Sequence, residues 1–256
     1  MLAMNASPLV IRSVGGSDVG RRRQANEDAF LCDDALGLWV VADGMGGHAA
    51  GEIASSEAID TIYGMVKRGK RHLGEGADSD ASLRAAVRLL EGAVQAATYM
   101  IFAMSELDAQ KSGMGTTISA MMSIGAVAVT AQVGDSRIYQ VRGGQVEQLT
   151  EDHTLINWQL KQGIITLEEA KHSKHKNVIT RAVGNRDYVQ VDTGIVEVAS
   201  GDSFLLCSDG LHGYLRSEEI APILELRGGN AVRRFIDLAN GRGGKDNITA
   251  IVVEVA

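Results

Sequence analysis

The sequence is poor in residues that break or staple a chain. Only two of its 256 residues are proline, and no stretch is rich in proline, serine or glutamine, which argues against a long linker or a disordered tail. Its two cysteines, Cys32 and Cys207, each lie beside an apolar run. They fit free, partly buried thiols in a reducing compartment better than a disulfide framework. No run approaches the ~18 apolar residues of a membrane span. The opening MLAMNASPLVIRSVGG has neither the charged start nor the apolar stretch of a signal peptide. A cytoplasmic protein with no membrane partner is expected. No Cys/His cluster has zinc spacing, and no internal period marks a repeat array.

Positive charge is also scarce. The net charge of −7 argues against a nucleic-acid binder. Two local basic patches exist, Arg21-Arg22-Arg23 and KHSKHK over 171–176, and a charge run is usually a solvated face. What the chain does have is 45% hydrophobic residues, enough at this length to bury a sizeable core. One domain over 1–256 is the simplest reading.

Apolar periodicity predicts strands over 9–14 and 37–42, the latter buried on both faces, and a helix over 52–67. A longer helix is predicted over 80–107, with Ser79 or Asp80 as its cap. From 115 to 149 three strand-like runs are split by Gly-rich turns, and Val141 to Val146 reads as a hairpin. The stretch 154–176 is polar, with short helical pieces. Strands return over 188–198 and 202–208, helices over 217–226 and 229–240, and a last strand over 248–255. Strands and helices come in blocks rather than in strict alternation. That order predicts an α+β fold in which two antiparallel β-sheets pack as a sandwich, flanked by helices on both outer faces.

Three apolar strands lead into an aspartate beside a glycine: Asp43 before Gly44, Asp135 after Gly134, and Asp209 before Gly210. Asp246 stands just before the last strand, and the acidic pair Glu27-Asp28 precedes Ala29-Phe30-Leu31. Singly, an Asp-Gly pair is most often a turn former. For Asp135 the bland alternative is that it caps its turn and pairs with Arg137. Several strand-end aspartates together can gather carboxylates at one sheet edge. Gathered carboxylates resist ionisation unless a cation neutralises them, and all-oxygen ligands suit Mg²⁺ or Mn²⁺.

The strings RQANED (23–28), VADGMGGH (41–48), GMGTT (113–117), VGDSR (133–137), SDG (208–210) and KDNIT (245–249) occur in this order. In that order and spacing the chain resembles the metal-dependent protein phosphatases of the 2C type, bacterial branch, from about Arg23 to Thr249. The resemblance implies a β-sandwich flanked by helices. It implies a serine/threonine protein phosphatase in which a hydroxide bridging two Mn²⁺ or Mg²⁺ ions attacks phosphoserine or phosphothreonine. Asp43 then matches the aspartate that bridges the two metals, and Gly44 the glycine whose carbonyl reaches the second. Asp209 and Asp246 match further ligands of the first metal, and Glu27 and Asp28 the pair that holds metal-bound waters. Asp135, with Asp209, matches the ligands of a weaker third metal. Arg23 matches the arginine that grips the substrate phosphate. The general acid is either His48 or a metal-bound water. The segment 154–186 resembles the family's variable flap. The implied partners are phosphorylated proteins and a cognate serine/threonine kinase.

Other phosphate chemistries fit less well. Gly64 to Lys70 looks like a phosphate loop but is followed by Arg71 and ends a helix rather than following a strand. Neither cysteine has the arginine of a Cys-x5-Arg loop. A phosphohydrolase for nucleotides or sugar phosphates is one rival, although no base-binding feature stands out. A non-catalytic module on the same fold is the other, and it would have lost the metal aspartates, which are all present.

Overall fold

The computed structural model describes residues 9–46, 50–73, 80–173, 175 and 178–256. One sheet has five strands in the order β1-β11-β10-β7-β8. These are β1 (Ile11–Asp18), β7 (Arg137–Arg142), β8 (Gln145–Gln148), β10 (Ser203–Cys207) and β11 (Ile248–Val255). The other sheet runs β2-β3-β5-β6-β9, with the short β4 (Gly115–Thr116) beside β3. Its strands are β2 (Asp28–Asp33), β3 (Leu38–Met45), β5 (Ile118–Ile124), β6 (Val127–Val133) and β9 (Asp192–Glu197). Every neighbouring pair is antiparallel.

Helices α1 (Ala50–Gly69) and α2 (Asp80–Leu107) cover the outer face of the second sheet. Helices α6 (Ser217–Leu224) and α7 (Gly228–Gly241) cover the outer face of the first. The expected α+β sandwich with helices on both sides is therefore the fold. The long helix falls on 80–107 as the periodicity predicts, because its row Ala86, Leu90, Ala93, Val94, Ala97, Ile101 is buried on one face. Helix α1 carries Gly64 to Gly69 inside it, so that stretch is no phosphate loop. Ser79, one candidate cap, lies outside the described residues. Strand β2 was not anticipated; its Phe30 is partly exposed and its other side chains are only half buried, so it lacks a clear alternation.

Three apolar layers result. Leu38, Val40 and Ala42 of β3 pack towards α1 and α2. Leu205 and Cys207 of β10, with Ile248, Ala250 and Val252 of β11, pack against α6 and α7. Between the sheets lie Trp39 and Val41, Phe204 and Leu206, and Ile251 and Val253. Cys207 is thus a core residue, and both cysteines are free thiols. The period of two now has a consequence for the site. Counting on from Trp39 and Val41 brings Asp43 to the inter-sheet side; from Phe204 and Leu206 it brings Ser208; from Ile251 back it brings Thr249.

Trp39 is fully buried in this middle layer and donates its Nε1–H to Asp34 Oδ1 at 3.1 Å. Trp39→Ala is expected to destabilise the protein by ~3–5 kcal/mol, read from the urea midpoint at unchanged m-value. A loss within ~0.5 kcal/mol, the range of an ordinary surface change, would contradict the layer assignment.

Candidate metal centre

The middle layer stops being apolar at one end of the sandwich and continues as polar side chains. Asp28 and Asp43 are direct partners across β2 and β3, so their carboxylates leave the same face of the sheet. Asp43 donates its backbone N–H to Thr117 Oγ1 at 3.0 Å, and its carbonyl accepts from Thr117 N and Thr116 Oγ1 at 2.9 and 3.0 Å. Asp28 Oδ2 accepts from Ser208 Oγ at 2.8 Å and from Thr249 Oγ1 at 2.6 Å. Asp209 opens the one-turn helix α5 (Asp209–His212) directly after β10. Asp246 precedes β11, and Asp135 follows β6 across Gly134, whose φ of +100° makes the turn.

The glycines beside Asp43 and Asp209 have a different task from turning the chain. A Cβ on Gly44 would stand 2.1 Å from the Gly51 carbonyl oxygen, and one on Gly210 would stand 1.8 Å from that of Asn247. These glycines are required by close approach of neighbouring backbone.

Arg23, Glu27, Asp43, Gly44, Asp135, Asp209 and Asp246 all line one open cleft of about 440 Å³. Arg23 donates from Nη2 to Asp246 Oδ2 at 2.9 Å and lies 3.9 Å from Glu27 Oε2. That hydrogen bond to Asp246 raises the guanidinium pKa. The carboxylates are shifted the other way from isolated surface acids. Burial, and then the charges of its acidic neighbours, pushes Asp43 well up; burial likewise raises Asp28, Asp209 and Glu27. Asp135 is raised to about 7, by burial first and by Asp209 second. The pairing of Asp135 with Arg137 is not what forms: Arg137 instead grips Asp152 through Nε and Nη2, at 2.9 and 2.6 Å.

Among the described residues no three His, Cys, Asp or Glu side chains stand at finished ligand spacing about one point. The donor set nevertheless fits a hard cation. Glu27 Oε1 and Asp28 Oδ1 are buried oxygens with no hydrogen-bond partner. A buried carboxylate oxygen in that position is costly unless a cation meets it. Carbonyl groups and water complete the shells of such ions, so few side chains are needed.

Several residues at the site were not anticipated. Asn247 ties three segments together: its Oδ1 accepts from Glu27 N at 2.8 Å, and its Nδ2 donates to Val19 O and Ala25 O at 3.0 and 2.9 Å. Thr117, Ser208 and Thr249 seat the aspartates. The signal was available, since Asn247, Thr117 and Thr249 lie inside the quoted strings. His153 and His212 gave no such signal. Buried His153 accepts Gly134 N–H at Nδ1, at 3.1 Å, and donates from Nε2 to Asp192 Oδ2 at 3.0 Å. His212 donates from Nε2 to the Asp135 carbonyl at 2.9 Å, and burial lowers it to about 4. His48 lies outside the described residues. Of the patch over 171–176, Lys171 pairs with exposed Glu168 at 2.6 Å, while Lys174 and Lys176 lie outside the described residues.

A β-sandwich that gathers carboxylates and one arginine at the end of its middle layer defines a class of metal-dependent phosphohydrolase. A family model described as protein phosphatase 2C matches residues 16–242. The serine/threonine phosphatase stp of Listeria welshimeri is 37% identical over 243 residues, spanning 93% of each chain. The crystal structure of the Mycobacterium tuberculosis serine/threonine phosphatase PstP/Ppp aligns with a TM-score of 0.83 at 34% identity, over 96% of this chain and 98% of that one. A structure of the PstP catalytic domain in complex with 2 manganese ions gives 0.83 at 34% identity, over 97% and 99%. The chain belongs to the protein phosphatase 2C family.

The raised carboxylates set a pH dependence. Asp135 holds its proton in the folded state up to about pH 7, against 3.8 for the ordinary group. Its contribution to stability is therefore complete below the ordinary value and is lost as pH rises through the folded one. In EDTA, Asp135→Asn should gain on the wild type by about 1.4 kcal/mol per pH unit between about pH 4 and pH 7. Denaturation curves of both proteins that stay parallel over this window would contradict the assignment.

Proposed function

We propose that this phosphoprotein phosphatase hydrolyses phosphoserine and phosphothreonine in other proteins at the cleft between Arg23 and Asp135. The observation that carries this reading is the convergence of five aspartates, Glu27 and Arg23 from separate strands and turns on one end of the middle layer. In this reading Asp43 bridges two divalent cations, Mn²⁺ or Mg²⁺, with Asp209, Asp246 and the Gly44 carbonyl as further ligands. Glu27 and Asp28 hold the waters of these ions through the two oxygens that lack a protein donor. Two such cations, when bound, supply a water of lowered pKa and neutralise charge at phosphorus.

The chain's own groups do the rest. Ser208 and Thr249 fix Asp28 Oδ2 and leave its buried Oδ1 without a protein donor. Thr116 and Thr117 fix the backbone of Asp43. Arg23 neutralises Asp246 and holds its planar fork at the cleft wall, where it can grip two phosphate oxygens in a way lysine cannot. The leaving alkoxide takes its proton from His48 or from a water. Asp135 and Asp209 together would hold a third, weaker cation. The 154–186 segment serves as a flap: it brings Ile179 to the main cleft and, with α3 (Leu155–Lys161) and α4 (Leu167–His172), lines a second cleft of about 450 Å³ that shares Asp135 and Asp209. The whole chain acts as one catalytic domain, in the cytoplasm, and removes phosphates that a serine/threonine kinase has placed.

Turnover of a phosphothreonine peptide should vanish in EDTA and return with Mn²⁺ or Mg²⁺, and kcat/KM on that peptide should exceed that on a nucleoside monophosphate. Undiminished turnover in EDTA would remove the metal mechanism, and a preference for the nucleotide would favour the rival substrate class.

Arg23→Ala should mainly raise KM, by roughly tenfold to a hundredfold, the ~1.5–3 kcal/mol of a hydrogen bond to a charged group. Arg23→Lys should recover part of this. An unchanged KM in both variants would assign phosphate binding elsewhere.

A further inference from the structure

Two aspartates that are to share an ion must be held at a fixed spacing. Asp135 lies in the turn from β6 of one sheet to β7 of the other, and Asp209 follows β10, the ladder partner of β7. The β7–β10 register ends at Arg137 opposite Cys207, short of both aspartates. Beyond that last pair the two segments are joined by His212. It sits three residues after Asp209 on the same helical turn, which is closed by His212 N–H to Ser208 O at 3.2 Å and Gly213 N–H to Asp209 O at 2.8 Å. From there its Nε2 reaches the Asp135 carbonyl at 2.9 Å. A carbonyl only accepts, so Nε2 carries the proton and the imidazole acts as a donor.

The other bonds of the Asp135 turn run to the β6 sheet and to the loop that carries His153. Gln132 Nε2 donates to Gly134 O and Ser136 O at 3.1 and 2.7 Å. His153 N donates to Gly134 O at 2.9 Å, and His153 Nδ1 accepts from Gly134 N at 3.1 Å. Ser136 Oγ meets Thr117 Oγ1 at 2.8 Å. These bonds orient the turn within the β2-to-β9 sheet and its loops, and none of them reaches Asp209. The His212 bond lies beyond the last β7–β10 pair, beside the two clefts that Asp135 and Asp209 both line.

We infer that His212 is a positioning residue whose Nε2–H bond to the Asp135 carbonyl sets the Asp135–Asp209 spacing, and through it the affinity for the third, weaker cation. This rests on the third-cation reading of Asp135 given under the proposed function. His212 touches neither the cation nor the substrate; it acts through the backbone of one ligand and the helix of the other.

The test is Mn²⁺ binding by the full metal-free chain, with free Mn²⁺ counted by electron paramagnetic resonance, for wild type, Asp135→Ala, His212→Ala and His212→Gln. Glutamine can present an N–H near the position of Nε2. Wild type is expected to show a tight pair and one weak site. Asp135→Ala should lose the weak site and keep the pair. His212→Ala should keep the pair and bind the weak ion about tenfold less tightly, the usual effect of removing a group that orients a ligand. His212→Gln should return to within about twofold of wild type. Should His212→Ala not fold, His212→Asn replaces it, since its amide is too short to reach the carbonyl. Wild-type weak-site affinity in His212→Ala, or in His212→Asn where that replaces it, with the site lost in Asp135→Ala, overturns the role of His212 and leaves the third-cation reading standing. A weak site that survives in Asp135→Ala, or is missing from wild type, overturns that reading and the role of His212 with it. Equal weakening of the pair and the weak site in both His212 variants, with a matching fall in Tm, marks a packing role and also overturns the inference.

Discussion

Like charges brought together inside a protein repel, and they also lose the water that would screen them. Asp28, Asp43, Asp135 and Asp209 are all in that position, and their pKa values rise for both reasons. The rest of the structure is arranged around holding them there. A flexible loop could not do it, since the carboxylates would separate into solvent. Asp43 leaves a strand fixed on both sides by ladders, and Asp28, Asp135 and Asp209 leave an edge strand, a turn and a helix anchored to such strands, which gives them no room to part.

The middle layer is the device that delivers them. Along β3, β10 and β11 the inward row is apolar for most of its length, and it then continues in register as Asp43, Ser208 and Thr249. The site is the polar end of the sandwich interior. Hydroxyls satisfy one oxygen of Asp28, so the aspartate is oriented while its other oxygen has no protein donor. Arg23 supplies the compensating positive charge at the mouth. Asn247 closes the loops around Glu27. Gly44, Gly51 and Gly210 allow the backbones to approach closely enough for this packing.

Relatives share this frame over nearly the whole chain. The region from 154 to 186 sits differently in the architecture. It packs at the edge of the site, contributes Thr154, Leu160 and Ala170 to the second cleft, and carries exposed Trp158, Ile164 and Leu167. Among its described residues it joins the frame by the isolated bridge of Val183 to Thr116, and no ladder of the two sheets runs through those residues.

The sequence by itself determined the α+β class, the two long helices, most strands and every acidic residue now found lining or bordering the cleft. Those features follow from local periodicity, or from strings that survive as strings. The apolar row of α2 and the last strand at 248–255 are legible because burial imposes a period on them. Strand β2 was not legible because it is an edge with no clean alternation. The sequence also suggested that the Asp-Gly pairs were turns; two of the glycines instead serve close packing, against Gly51 in the first turn of α1 for Gly44 and against the distant Asn247 for Gly210. Only the tertiary structure decided that Arg137 pairs with Asp152 and not with Asp135, that Asn247 holds Glu27, and that His153 and His212 grip the Asp135 turn from opposite sides. Each of these is a contact between residues distant in sequence. A contact of that kind leaves no periodicity in the chain, because its geometry exists only after the two sheets have closed on one another.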